Sequence, residues 1–416
     1  MTPSTNYLLT TIKSILHNMP MPASDQSTSA SSHAIDYNEV YRMAVKSSVA
    51  NLVAYGICKD ESVPAKVRDA FDKERLKNIM HQTQQAKAIE ELGNIFAQFQ
   101  AKGLILKGSV LKTLYPDPFM RSMADVDFFM EEADIHRISN AIIAAGYETG
   151  VQGANDHYVF TKGLIDIEIH SDLEPFESSY ATEVFKKRFP DATSISSAVD
   201  VWAHAEPYND SSYMLQLTPE YNYLHVVLHM MKHFLTSGTG IRSFTDIWVM
   251  NQHYGLSWDR EELNALLERF GLLRFEQYAL ALADRWFSVD ADIMARAVAP
   301  SISVEPDALN ALEEFILDSG TYGNQANHIL KEMGHDTAGA SKIKYLFKAL
   351  FRPYKTMKGI YPVLEKVPVL LPIMWVYRPF EIFAKRGKQA RSKLRYVANA
   401  EADRAERNKE LLERVI

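Results

Sequence analysis

Asp125 and Asp127 flank Val126 within the apolar run "DVDFFM", and their spacing is the first sign of chemistry in the chain. Like charges this close repel, and burying them is costly unless something neutralises them. A cation would do so. Side chains alternate along a strand, so the two carboxylates share one face while Val126 takes the other. Paired carboxylates suit Mg²⁺, a hard ion that prefers oxygen ligands. The plain alternative is a solvated edge strand carrying two surface acids.

Sixteen residues before Asp125, "LILK" runs into Gly108-Ser109, and "SVLKTLY" has helical spacing. A strand that turns at Gly into a helix places backbone N–H groups and a Ser hydroxyl where a phosphate can sit. Downstream, "LIDIEIH" puts Ile165, Ile167 and Ile169 on one face and Asp166, Glu168 and His170 on the other. A half-buried strand alternates in this way with or without a function. Beside Asp125 and Asp127, however, Glu168 completes a three-carboxylate set able to hold two metal ions, the arrangement that clamps both oxygens of an in-line phosphoryl displacement.

The elements that must position these groups follow from periodicity and punctuation. A short N-terminal helix is followed by "MPMPASDQSTSASSHAID", a Ser- and Pro-rich linker, giving a first segment of 1–37. Residues 38–102 read as helical, with 38–55 and 66–101 carrying the spacing and Gly103 ending the second helix. Residues 103–211 alternate short β-rich runs with one clear helix, "ADIHRISNAIIAAGY". After about 212 the pattern is helical, without convincing strands, to 340. Residues 341–416 form a basic, apolar-patched tail with a final helix. The architecture reads as α+β: a small mixed-sheet core between helical segments.

Composition bounds the function. The chain has 416 residues, 47% of them hydrophobic, enough for more than one core. Cys58 is the one cysteine, which excludes a disulfide framework and a thiolate zinc site and suits a reducing cytoplasm. No signal peptide is evident, and no uncharged run reaches the roughly 20 residues of a spanning helix. The net charge of −7 hides a basic tail. Between Lys342 and Arg395 stand 14 Lys/Arg against Glu365 and Glu381, a local +12 that leaves −19 on the rest. An acidic body argues against an extended nucleic-acid footprint.

The span "LKGSVLKTLYPDPFMRSMADVDFF" resembles the bacterial nucleotidyltransferase-like family, often encoded with polysaccharide genes, within the DNA polymerase β-type superfamily. The resemblance rests on Lys107, Gly108, Tyr115, Pro116, Pro118, Arg121, Asp125, Asp127, Glu168 and His170. It continues through His229, His233 and Asp246 in "HMMKHFLTSGTGIRSFTDIW", then through "SGTYGNQANH" and "LFRPY", covering most of 66–380. Ala124 stands where the family usually has Gly. The resemblance implies a polymerase β-type nucleotidyltransferase core and transfer of an NMP group from an NTP to a hydroxyl of a sugar, small metabolite or protein. It implies that Asp125 and Asp127 bind the nucleotide's Mg²⁺, with two ions and Mn²⁺ as a substitute. Glu168 completes the metal site and helps activate the acceptor. Gly108 and Ser109 cradle phosphates, Lys107 and Arg121 neutralise them, and His170 belongs to the nucleotide site. Lys107 also reads as a strand-end lysine, and Arg121 as a loop arginine paired with a nearby acid.

His225, His229 and His233 recur every four residues on one helix face. No H-E-x-x-H pattern accompanies them. They read as interhelical packing, with His229 and His233 at the mouth of the nucleotide pocket. An HD-type metal-dependent phosphohydrolase using these histidines with His335 and Asp336 is a further reading, and a catalytically inactive nucleotide-binding scaffold is another. In the tail, residues 361–395 join an apolar, Trp- and Tyr-bearing stretch to a basic run. Pro362, Pro368, Pro372 and Pro379 exclude a continuous spanning helix. Val369 to Trp375 either packs on the helical domain or lies at an anionic lipid surface. The second expectation places the chain peripherally at the inner membrane face.

Overall fold

The computed structural model describes residues 1–21, 35–150, 157–174, 185–236, 238–289, 303–319, 351–379, 381 and 402–416. The expected linker between 22 and 34 and the landmarks from 320 to 350 lie outside the described residues, His335 and Asp336 among them.

Four helices open the chain: α1 (Pro3–Leu16), α2 (Tyr37–Lys46), α3 (Ala50–Ile57) and α4 (Ala65–Phe99). The helical run expected over 38–55 is thus two helices, broken where Ser48 takes a positive φ of 53°. The N-terminal helix is fastened down, with Tyr7, Leu8, Leu9 and Ile12 buried in the larger core. The long α4 ends earlier than Gly103. Gln100 turns left-handed at φ 51°, and Gly103 is instead the first residue of β1 (Gly103–Ile105). A Cβ on Gly103 would lie 2.7 Å from the Phe96 ring, so glycine there lets strand and helix approach.

The sheet has seven strands in the order β3-β4-β5-β2-β1-β7-β6: β2 (Val126–Phe129), β3 (Glu148–Thr149), β4 (His157–Lys162), β5 (Ile165–His170), β6 (Ala205–Pro207) and β7 (Met214–Leu217) with β1. It is mixed: β2 runs parallel to β5 and β1 parallel to β7, while β1 and β2 are antiparallel. β7 corrects the expectation of no strand beyond about 212. "MLQL" is too short to show a period, and its place beside β1 comes from long-range pairing. Between β1 and β2 lies the short helix α5 (Gly108–Leu111), and α6 (Glu132–Ala144) follows β2.

Each sheet face meets a different core. Val126, Phe128, Ile167 and Ile169 face the cluster built by α4 and α6, where Ile135, Ile138 and Ile142 are fully buried at helical spacing. Each such side chain contributes about 1.5–3 kcal/mol. Phe129 faces the larger core, shared with the later helices α7 (Pro219–Thr236), α8 (Ile241–Tyr254), α9 (Arg260–Arg269), α10 (Leu273–Phe287) and α11 (Pro306–Ser319). Asp127 shares the face of Phe129, so the alternation of β2 aims it between the sheet and the helical region.

Residues 351–379 form α12 (Tyr354–Ile360), α13 (Val363–Lys366), a 3₁₀ turn at Pro368–Leu370 and a helical stretch over 371–379. Met357 and Leu364 are buried within it, and Trp375 Nε1 donates to the Arg352 carbonyl at 2.8 Å. Its outer face is apolar. Val369 is 78% exposed, Ile373 59% and Val376 64%, while Leu370, Leu371, Met374 and Trp375 are half-buried, so the stretch is packed on one side only. No helix among the described residues is long and apolar enough to cross a membrane. The last helix, α14 (Ala402–Val415), buries Leu411 and Val415 in the larger core.

Candidate active site

A cavity of about 270 Å³ lies between the carboxyl-bearing ends of β2 and β5 and the helices α7 and α8. Lys107, Gly108, Arg121, Asp125, Asp127, Glu168, His229 and His233 all line it. Residues that are 126 positions apart in sequence therefore meet in one place. Ser109 does not line it: it is 1% exposed, and its Oγ has no partner among the described residues. The turn at Lys107 is backbone-strained, with φ 47° and ψ −115°, a conformation that costs a non-glycine residue about 1–3 kcal/mol. Gly108 is required by close approach, because a Cβ there would stand 2.5 Å from an Arg121 terminal nitrogen.

Parallel register sets Asp127 beside Glu168 and Phe129 beside His170. Asp127 is 6% exposed, and burial opposes its charge. Lys107 Nζ at 3.3 Å and His170 Nε2 at 3.0 Å more than offset this, holding its carboxyl well below the usual range. Burial would lower the Lys107 ammonium too, but Asp127, Glu174 and Asp125 raise it. Asp125 stands just ahead of β2, where the Lys107 charge and a backbone hydrogen bond offset only part of what opposes its ionisation. Burial, then repulsion from Asp127 and Glu168, push it up to about 6.

Among the described residues, Asp127, Glu168 and His170 form a group whose ligand atoms all lie within 4.8 Å of one another. Two carboxylate oxygens and an imidazole nitrogen fit a divalent cation, and the repulsion that Lys107 only partly offsets at Asp125 is what a cation would quench. Asp125 borders the same cavity but is not in that close group. His170 stands with the acids, its Nε2 3.0 Å from Asp127.

Arg121 is held rather than free. Its Nε and Nη2 donate to Asp246 at 2.8 and 2.9 Å, and the Tyr115 hydroxyl donates to the same carboxylate at 2.7 Å. Burial opposes the Arg121 charge, but Asp246 raises its affinity for the proton. The loop carrying it is fixed from α3 and α4. Asn51 Nδ2 and Asn78 Nδ2 donate to the Phe119 carbonyl, and Gln82 Nε2 donates to that of Arg121 at 2.7 Å. These amides are buried on otherwise helical faces, and nothing in their spacing marks them.

The reading also lacked Glu174. It is 6% exposed, has φ 51°, and draws nitrogen atoms from three directions. His229 Nδ1 lies at 2.7 Å, Lys232 Nζ at 3.1 Å, and Lys107 Nζ at 3.8 Å. His225 Nε2 is 3.3 Å away without hydrogen-bond alignment. Burial opposes its charge, yet His229, His225 and Lys232 hold Glu174 well below the ordinary carboxylate range. His229 and His233 touch through their Nε2 atoms at 3.0 Å, and burial keeps both imidazoles neutral, His229 down at about 3. The period-four histidines were legible, but the acid they serve sits in a loop with no motif.

The class defined here is an α+β protein with an acid-lined cavity at its strand ends, covered by helices. The chain belongs to the family described as uncharacterised nucleotidyltransferase, whose model matches residues 33–288. That span takes in the whole sheet, the cavity and α2 to α10. No curated protein and no solved structure matches the chain. Membership makes the protein a transferase enzyme acting on an NTP.

Proposed function

We propose that the chain moves an NMP group from an NTP to a hydroxyl acceptor at this cavity, with Mg²⁺. The observation that carries the reading is the meeting of Asp125, Asp127 and Glu168 with Lys107-Gly108 around one cavity. Asp127, Glu168 and His170 would hold the ion, which supplies charge neutralisation for the phosphates. Two ions accord with the polymerase β-type superfamily the sequence resembles, and the His170 nitrogen makes Mn²⁺ a workable substitute.

In the transfer, the acceptor oxygen bonds to the α-phosphorus as the bridging oxygen leaves with pyrophosphate. The hydroxyl proton passes to a carboxylate of the sheet wall. Asp125, raised to about 6, and Glu168 are those available. Lys107 holds Asp127 ionised and in place. The acceptor is a sugar, a small metabolite or a protein. The exposed apolar face around Val369, Ile373 and Val376, beside the basic tail, supports a peripheral lipid contact that would bring lipid-linked acceptors within reach.

Incubating the pure protein with each α-labelled NTP, Mg²⁺ and cell extract tests the reading. Label should move to an acceptor, and pyrophosphate should appear. NTP consumption with release of free phosphate alone would point to hydrolysis and sink it.

A further inference from the structure

We propose that Arg242, on the helical wall, is the residue that grips the nucleotide's phosphate chain, an inference that rests on the nucleotidyl-transfer reading above. The family resemblance gave that work to Arg121 and Lys107. Both faces of the Arg121–Asp246 pair are closed, at 8% and 6% side-chain exposure, and the fork of the guanidinium is already matched to a carboxylate. A guanidinium neutralised in this way offers a phosphate little net charge.

The other cationic candidates lining the cavity are also engaged. Lys107 lies between Asp127 and Glu174. His229 and His233 are uncharged at neutral pH because burial holds them so. Arg242 differs from all of these. It lines the same cavity, and its buried Nε has no hydrogen-bond partner. Among the described residues no carboxylate pairs with it. A buried, unsatisfied guanidinium nitrogen is costly, and a ligand oxygen would relieve it.

Placement agrees with charge. The sheet wall carries Asp125, Asp127 and Glu168, which repel bare phosphate oxygens. A metal–nucleotide complex is cationic at the ion and anionic along the phosphates, so it needs acids on one side and a cation on the other. Arg242 stands in the first turn of α8 with Ser243, which also borders the cavity. Its planar fork suits two phosphate oxygens at once.

Binding of Mg²⁺–NTP, of inorganic triphosphate and of the unphosphorylated nucleoside is measured for the parent, Arg242→Ala and Arg242→Lys. Arg242→Ala should bind the NTP and triphosphate about 10- to 100-fold more weakly, as loss of a charge-assisted contact implies. Nucleoside binding and melting temperature should be unchanged, and Arg242→Lys should recover part of the loss. A parent that binds NTP and an Arg242→Ala that binds it equally well overturn the inference. So does an Arg242→Ala that no longer melts cooperatively, since the arginine would then be structural. A parent that binds no NTP defeats the functional reading itself.

Discussion

The sheet wall of the cavity gathers acids faster than it supplies partners, whereas the helical side surrounds each acid with donors. Asp125 is half-buried between two like-charged neighbours that Lys107 only partly offsets, and rises to about 6. Asp246 receives both arms of Arg121 and the Tyr115 hydroxyl, and Glu174 receives His229 and Lys232. Charge that is balanced inside the chain holds loops and helices in place. The unbalanced remainder, acids on one wall and Arg242 on the other, is what a ligand can answer. That division separates residues whose loss should stop turnover from those whose loss should unfold the protein.

The largest effect should come from the acids. Asp125→Asn with Asp127→Asn is expected to reduce NTP turnover by at least ~10³-fold, roughly 4 kcal/mol of barrier. Mg²⁺ or Mn²⁺ should raise the melting temperature of the parent but not of this variant. Asp125→Asn alone should stabilise the metal-free chain by about 1–2 kcal/mol near pH 7. A carboxyl raised to about 6 costs stability once ionised, and partial exposure moderates that cost. Unaltered turnover in the double variant would remove the sheet wall from the chemistry.

Next in size is the contrast between the two arginines. Arg121→Met leaves Asp246 buried with Tyr115 as its remaining donor, which should cost about 3–5 kcal/mol in denaturant unfolding. Arg242→Met should cost under about 0.5 kcal/mol, because no partner is orphaned. Equal losses would erase the distinction between held and available cations.

These contrasts also show what could be read from the chain. Period two on "DVDFF" set Asp125 and Asp127 on one face of their strand, and on "LIDIEIH" set Glu168 with Asp166 and His170; the register then brings Asp127 and Glu168 side by side. That much is local geometry. Asp246 was visible as a landmark but not as the partner of Arg121, 125 residues away. Glu174, Asn78 and Gln82 had no signal, because a buried polar group is recognised by what it meets in space. Arg242 was missed for the opposite reason: its significance is a missing partner, which no spacing encodes. β7 was missed for lack of length, and the tail stayed open between two readings for lack of a rule separating packed from exposed apolar runs.

A smaller, surface effect concerns that tail. Val369, Ile373 and Val376 stand exposed beside a segment with a local charge of +12. The full-length protein should float with phosphatidylserine-containing liposomes at low salt and release as salt rises, since each basic residue contributes about 1 kcal/mol at such a surface. Replacing the three apolar residues by Asp should abolish flotation and leave turnover of soluble NTP unchanged. A triple variant that still floats would show that apolar insertion is not involved.

The smallest expected effect tests the neutral histidines on the balanced side. Burial lowers His229 to about 3, with partial relief from Glu174, whereas the unfolded chain binds that proton near 6.5. Between these values the unfolded state holds more protons, so His229 makes stability fall as pH falls from 7 towards 3. Between pH 6.5 and 5 an undiscounted shift would be worth about 2 kcal/mol. The side chain is 32% exposed, which reduces this to about 1 kcal/mol. Asp125 works in the opposite sense, gaining its proton as pH falls through about 6, and so masks part of the slope in the parent. Comparing parent with His229→Gln removes that common contribution. Urea unfolding at pH 6.5 and pH 5 should show the variant losing less stability than the parent. If the two lose the same amount, His229 titrates alike in the folded and unfolded chain; a variant that loses more than the parent would show Glu174 balanced by a charged His229 rather than a neutral one.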